Sequence, residues 1–216
     1  MGVSERKKRE FERRELNILT TAIGLFQINH PSSVKMDDIA KQLEIGRGTI
    51  YLHFKSKDDL MARIQYEDYL RLRERLEIAL KEPTGLEMAR RAVRAYVEHC
   101  LGDKNMYLVA KQCGDSMNVN NVSEEMREKL FHERSNRLTV LEKIYKQARA
   151  ENLINSKGAY PNVAVAWGMI RGAVEVLLDG HFLKEIKSEK SYIETLEHVL
   201  FFGLFSPNSN TKGEST

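Results

Sequence analysis

Apolar residues return at helical spacing along nearly the whole chain, and the residues between them are those that end helices. Met36, Ile39, Ala40 and Leu43 stand at i, i+3, i+4 and i+7, which is one face of a short helix. Ile45 and Gly46 turn the chain. Ile50 and Phe54, one turn apart, then give a second short helix its buried side. Before this pair, Leu16, Leu19, Ile23 and Phe26 line a helix from Ser4 to about Asn29. His30-Pro31 stops it, because proline disfavours helical geometry in the preceding residue. After the pair, Ser56 caps a long helix with Asp58 and Asp59 in its first turn, where the helix dipole favours negative charge. This connector runs through Leu60, Ile64, Leu72 and Leu76 to about Lys81, and Pro83-Thr84-Gly85 breaks it.

The same period continues downstream. A helix from Thr84 to about Leu101 carries Met88, Ala92, Ala95, Tyr96 and His99, and a shorter one spans about Asn105–Gln112. The Asn/Gly-rich stretch from Gly114 to Asn121 reads as a loop. Ser123 opens a long helix lined by Met126, Leu130, Leu138, Leu141 and Ile144, and Asn155–Gly158 reads as a turn. Pro161 suits the first turn of the next helix, to about Leu183, where Ala164, Gly168 and Gly172 make one side smooth. Ser188 opens the last helix, through Ile193, Leu196, Leu200 and Leu204, and Pro207 ends it. No strand pattern or internal repeat is visible. The fold class is all-α, about nine helices.

Two short amphipathic helices on a tight turn follow the helix-turn-helix plan, whose second helix enters the DNA major groove. With Ile50 and Phe54 inward, Arg47, Gly48, Thr49, Tyr51, Leu52 and His53 occupy the flanks and outer face. From Ile45 to Lys57 there is no acidic residue, whereas Arg47, Lys55 and Lys57 are cationic, as a phosphate-facing surface requires.

At these residues the chain resembles the tetracycline-repressor (TetR) family of bacterial one-component regulators. The family's DNA-binding segment ends in a run like G-T-L-Y-x-H-F-x-[SN]-K, and Gly48 to Lys57 reads GTIYLHFKSK. Ile39-Ala40 matches the "D-I-A" of the preceding helix, and Leu25-Phe26 the "L-F" that ends the first. The sequence departs from the pattern at several places. Glu44 stands at the usual turn glycine, Gly46 at the Ser cap, Lys35 at the Thr opening the preceding helix, and His30-Pro31 at a Gly-aromatic pair. The resemblance implies an N-terminal three-helix DNA-binding domain (1–55) and a C-terminal helical domain (56–206) for ligand sensing and dimerisation, with helix 56–81 as connector. It also implies that Arg47 and Gly48 approach base edges while Thr49, Tyr51, His53 and Lys57 hold phosphates, with Lys35 beside them. That division is chemically sound. Arg forks onto guanine O6/N7, whereas hydroxyls, imidazole N–H and ammonium suit phosphate oxygens. For Leu52, a thymine methyl and simple packing both stand open.

Composition sharpens this reading. The chain has 216 residues, 42% hydrophobic, enough for a packed core. Its formal charge of +3 equals the surplus of bases over acids in residues 1–14, where Arg6, Lys7, Lys8, Arg9, Arg13 and Arg14 outnumber Glu5, Glu10 and Glu12. A neutral body with basic character beside a helix-turn-helix favours DNA over a membrane surface. Whether the basic arm is a solvated helix start or reaches DNA stands open. The N-terminus has no secretory apolar core and Cys100 and Cys113 are the only cysteines, so a reduced, cytoplasmic protein is expected. The tail 207–216 is expected to be disordered.

Tyr96, Cys100, Tyr107, Cys113, Met117 and Trp167 are candidate walls of an apolar or aromatic effector pocket, since aromatic and sulfur side chains adapt to irregular ligands. No metal, cofactor or catalytic constellation is visible, so an enzyme is disfavoured. The expected function is a regulator of pseudo-palindromic double-stranded DNA. It would act as a homodimer and a repressor released by a small molecule, with no membrane partner. A helix-turn-helix regulator that lacks such an effector and works through protein contacts is the alternative.

Overall fold

The computed structural model describes residues 3–153, 159–180, 186 and 188–204. Its nine described helices are α1 Val3–Ile28, α2 Met36–Gln42, α3 Arg47–His53, α4 Lys57–Ala79, α5 Gly85–Gly102, α6 Lys104–Ser116, α7 Glu124–Ala150, α8 Ala159–Leu178 and α9 Glu189–Leu204. A 3-10 turn at Val119–Asn121 precedes α7, and no strand occurs among the described residues. α8 closes at Leu178, earlier than the expected Leu183, with Gly180 in the left-handed region (φ 71°). The expected turn at Asn155–Gly158 and tail 207–216 lie outside the described residues.

Compactness divides the chain differently from a linear split at residue 55. One unit comprises Met1–Leu70 with Asp103–Arg134, the other Arg71–Gly102 with Ser135–Thr216. The reason lies in α6, which packs on α1 and buries Val109, Ala110 and Cys113 in the core made by the first helices. In that core Ile18, Ile39, Ile50 and Leu60 are wholly buried. Each contributes about 1.5–3 kcal/mol by leaving water. The buried face of α1 is Ile18, Leu19, Ala22 and Phe26. Leu16, expected among them, is 62% exposed.

The first unit is held at its helix ends by side chains. Ser56 Oγ accepts the Asp59 amide at 3.0 Å and donates to the Asn121 carbonyl at 2.9 Å. Asp58 accepts from the Asn118 amide and the Asn121 side chain, and buried Asp59 takes both the amide and hydroxyl of Ser123 at 3.0 and 2.7 Å. The acids that suit the α4 N-terminus thereby also fix the loop that opens α7.

Between α2 and α3 the turn closes with Ile45 N–H on the Ala40 carbonyl and Glu44 N–H on that of Lys41, both 3.1 Å. This is the 6→1 and 5→2 pairing of a Schellman cap, which needs a left-handed residue at its corner. Glu44 fills it with φ 54°, where glycine has no steric cost and an L side chain does.

In the second unit α5 packs on α8 and α8 on α9. Arg94 of α5 forks onto Glu197 of α9 at 2.7 and 3.1 Å. Glu151 accepts the Gly85 amide on both carboxylate oxygens, capping α5. A Cβ on Gly85 would overlap the Ala148 backbone, so this helix start tolerates only glycine.

Candidate nucleic-acid interface and effector cavity

α3 begins at Gly46, whose extended backbone serves as cap without any side-chain bond, while its carbonyl accepts the Thr49 amide at 2.9 Å. Ile50 is wholly buried beneath the helix and Phe54 nearly so, which aims the opposite side outward. Arg47, Gly48, Tyr51 and Leu52 are exposed and Thr49 is half-buried. Leu52 is 76% exposed, so packing does not explain it. A Cβ on Gly48 would meet nothing within 4 Å, leaving the backbone open to a close approach. Lys35, exposed before α2, has its amide bound by Asp38 Oδ2 at 2.9 Å.

Three side chains have partners that the one-dimensional pattern does not show. The Arg47 guanidinium lies 3.1 Å from Asp37 of α2, donates to the Tyr51 hydroxyl at 3.3 Å and covers the Tyr51 ring. The Tyr51 bond first, then the Asp37 charge, hold its pKa above the ordinary value. His53 stacks on Phe11 of α1, with ring centroids 4.0 Å apart. Its Nδ1 is buried without a hydrogen-bond partner. Burial lowers its pKa, with Glu15 opposing and Arg14 adding to the shift. His53 thus packs against α1 through its ring, with burial disfavouring its charged form. Lys57 differs most. Its ammonium donates to the carbonyls of Pro31, Ser32 and Val34 at 2.9, 3.0 and 3.1 Å. An ammonium has three hydrogens, and all three are engaged by the loop between α1 and α2. In this structure Lys57 clamps the backbone carbonyls of that loop.

The second unit contains a cavity of about 110 Å³. Tyr96 and Trp167 stand in its wall with ring centroids 4.6 Å apart and tilted by 58°. Leu76, Val93, Leu141, Ile144 and Leu200 continue a lining without a charged residue. Of the expected pocket residues, only Tyr96 and Trp167 face it. Cys100 is wholly buried on α5 but lies outside the lining. Tyr107, Cys113 and Met117 fall in the first unit, where Cys113 and Met117 pack with the helix-turn-helix core. Burial pushes the Cys113 thiol up to about 12, with the Lys57 charge opposing, so it behaves as a small apolar group.

Residues 18–64 match the profile of bacterial regulatory proteins of the tetR family. That stretch, which holds the helix-turn-helix, carries the likeness to the tetR family. Among relatives, the fatty acid metabolism regulator protein of Bacillus subtilis (strain 168) is 29% identical over 97 residues, 44% of this chain and 50% of that one. The HTH-type transcriptional regulator AcrR of Shigella flexneri is 37% identical over 62 residues, 29% of either chain. The chain thus matches half the length of the first and less than a third of the second. Whole-chain likeness comes from solved structures. The regulator PfmR of Thermus thermophilus superposes with TM-score 0.67 at 18% identity, covering 85% of this chain and 96% of that one. FadR from Bacillus subtilis, in complex with stearoyl-CoA, gives 0.66 at 22%, covering 88% and 98%. At such identities the likeness carries the fold.

Sequence reasoning missed Asp37, Phe11 and most of the cavity wall. Asp37 and Arg47 are ten residues apart on different helices, and no periodicity joins them. Leu76, Val93 and Leu141 carried the right signal, apolar at helical spacing, but core and cavity wall share it. Among the described residues no helix is long and apolar enough to cross a membrane, and no group of acids, histidines and cysteines is arranged to hold a metal.

Proposed function

We propose that this protein is a sequence-specific DNA-binding regulator, a repressor released from its operator by an apolar effector. The observation that carries the reading is the outer face of α3, with Arg47, Gly48, Tyr51 and Leu52 exposed opposite a wholly buried Ile50. An arginine fork, an open backbone at Gly48, a phenol and a methyl-sized contact from Leu52 are the groups that major-groove edges and phosphates accept. Thr49 and Lys35 flank them. Asp37 holds Arg47 in the absence of DNA, so binding exchanges that pair for a base edge.

A homodimer supplies the two half-sites of a pseudo-palindrome. The surface that suits a second copy is on α8 and α9. Ala164, Val165, Gly168 and Gly172 are exposed there, open space lies above both glycines, and Val199 of α9 is half exposed.

For the effector, the uncharged lining favours a hydrocarbon or aromatic group. An engineered cavity of about 150 Å³ holds benzene, so about 110 Å³ takes a short alkyl or single-ring segment. A longer chain would have to part the helices, which gives a ligand different affinities for two arrangements, the requirement for release. The B. subtilis structure with stearoyl-CoA makes acyl thioesters and free fatty acids the first class to screen.

The test is selection of duplexes from a random pool by the purified protein, then titration of the complex with saturated fatty acids and acyl-CoAs while Trp167 emission is followed. Release and the emission change should share a midpoint. Failure to enrich any sequence would overturn the reading. Sequence-specific binding that no apolar ligand releases, with Trp167 silent, would favour the regulator that works through protein contacts.

A further inference from the structure

The first turns of α1 extend past the body they pack on, and their inward face is basic. Ile18 and Ala22 are wholly buried on this helix, and the same i, i+3, i+4 stripe runs back through Glu15 and Phe11 to Lys8 and Lys7. Glu15 is paired with Arg63 at 3.6 Å and Phe11 covers His53, at the last turn of α3. Beyond Phe11 the stripe is exposed among the described residues. Lys7 and Lys8 are exposed, and Lys8 is linked only loosely to Glu12 at 3.9 Å. Helical geometry also sorts the charges that seem mixed in sequence. Glu5, Glu10 and Glu12 point to the flanks, about 100° or more from the Phe11 direction, whereas Lys7 and Lys8 lie within about 60° of it. From Phe11 to Val3 the helix advances about 12 Å, on the side of α3's end.

We propose that the start of α1 is a second DNA-contacting element. Lys7 and Lys8 take phosphates of the strand flanking the groove that α3 enters, and Phe11 on His53 is the positioning pair that holds the element there. The occupant is the duplex backbone, because the stripe offers cations without a fork, an aromatic platform or an apolar wedge for a base. The inference rests on the reading of α3 as the groove-facing helix.

The experiment measures binding of a labelled random-sequence duplex of about 40 base pairs across roughly 50–300 mM KCl, because non-specific affinity reports phosphate contacts through its salt slope. Lys7→Gln/Lys8→Gln should flatten the slope by roughly 0.9 for each phosphate contact removed. Both side chains are exposed, so folding is unaffected. Phe11→Ala should flatten it in the same direction, Phe11→Tyr should restore it, and Phe11→Ala added to the double lysine variant should change the slope no further. A merely structural role for Phe11 would not produce that non-additivity. Wild-type binding with an unchanged slope in the lysine variant overturns the second element alone. Absence of DNA binding by the wild type overturns it together with the reading of α3.

Discussion

The two units solve different problems with the same helical material. In the first, the core is filled by fully buried side chains and the loops are tied by charged groups to backbone atoms, as at Lys57, Asp58 and Asp59. In the second, aliphatic and aromatic side chains from five helices leave about 110 Å³ empty between them. Close packing keeps a surface in one shape, which a groove-reading helix needs. An apolar void keeps room for a guest and costs the contacts its lining never makes. The contrast teaches where tolerance to change should lie.

The largest expected difference comes from adding the same bulk to each unit. Ala40→Leu in the filled core should destabilise by about 3 kcal/mol, the cost of overpacking. Ala166→Leu in the cavity wall should change stability by less than about 1 kcal/mol while abolishing the response of Trp167 to apolar ligands. Urea denaturation of both variants checks this, and equal losses would erase the contrast.

Lys57→Met tests the clamp. It removes three charge-assisted bonds and leaves three carbonyls to half-exposed surroundings, so a loss of about 2 kcal/mol is expected. The salt slope of DNA binding should stay as in the wild type if the clamp persists on DNA. A slope lowered by about one phosphate contact, with stability intact, would return Lys57 to the DNA face.

Glu44→Gly should stabilise the protein by about 0.5–1 kcal/mol. Relief of the left-handed side-chain strain outweighs the extra freedom of glycine in the unfolded chain. A destabilised variant would show that the turn depends on the Glu44 side chain.

The smallest effect is a pH dependence at His53. Its folded pKa lies below the ordinary 6.5, so as pH falls the unfolded chain takes up the proton first. This contribution to stability is full above the unfolded value, declines as pH drops through it, and is completely lost below the folded value. Melting curves of wild type and His53→Gln between about pH 7.5 and 5 should diverge in that direction. Phe11→Ala, which exposes the ring, should bring the His53 titration, followed by NMR, back toward 6.5.

The sequence by itself determined the helices and the inward residues of the helix-turn-helix, because helical period is a local property. Met36, Ile39, Ala40, Ile50 and Phe54 are all buried where their spacing puts them, and Ser56, Thr84, Ser123 and Ser188 stand at helix starts as expected. Of the aromatic and sulfur residues it singled out, Trp167 and Tyr96 line the cavity of the second unit. Only the tertiary structure decided that Cys113 and Met117 pack in the first unit, that Lys57 turns to its own backbone, and that Asp37 meets Arg47. Those outcomes depend on which helix lies against which, and α6 returning to α1 from nearly a hundred residues away leaves no local trace in composition or period.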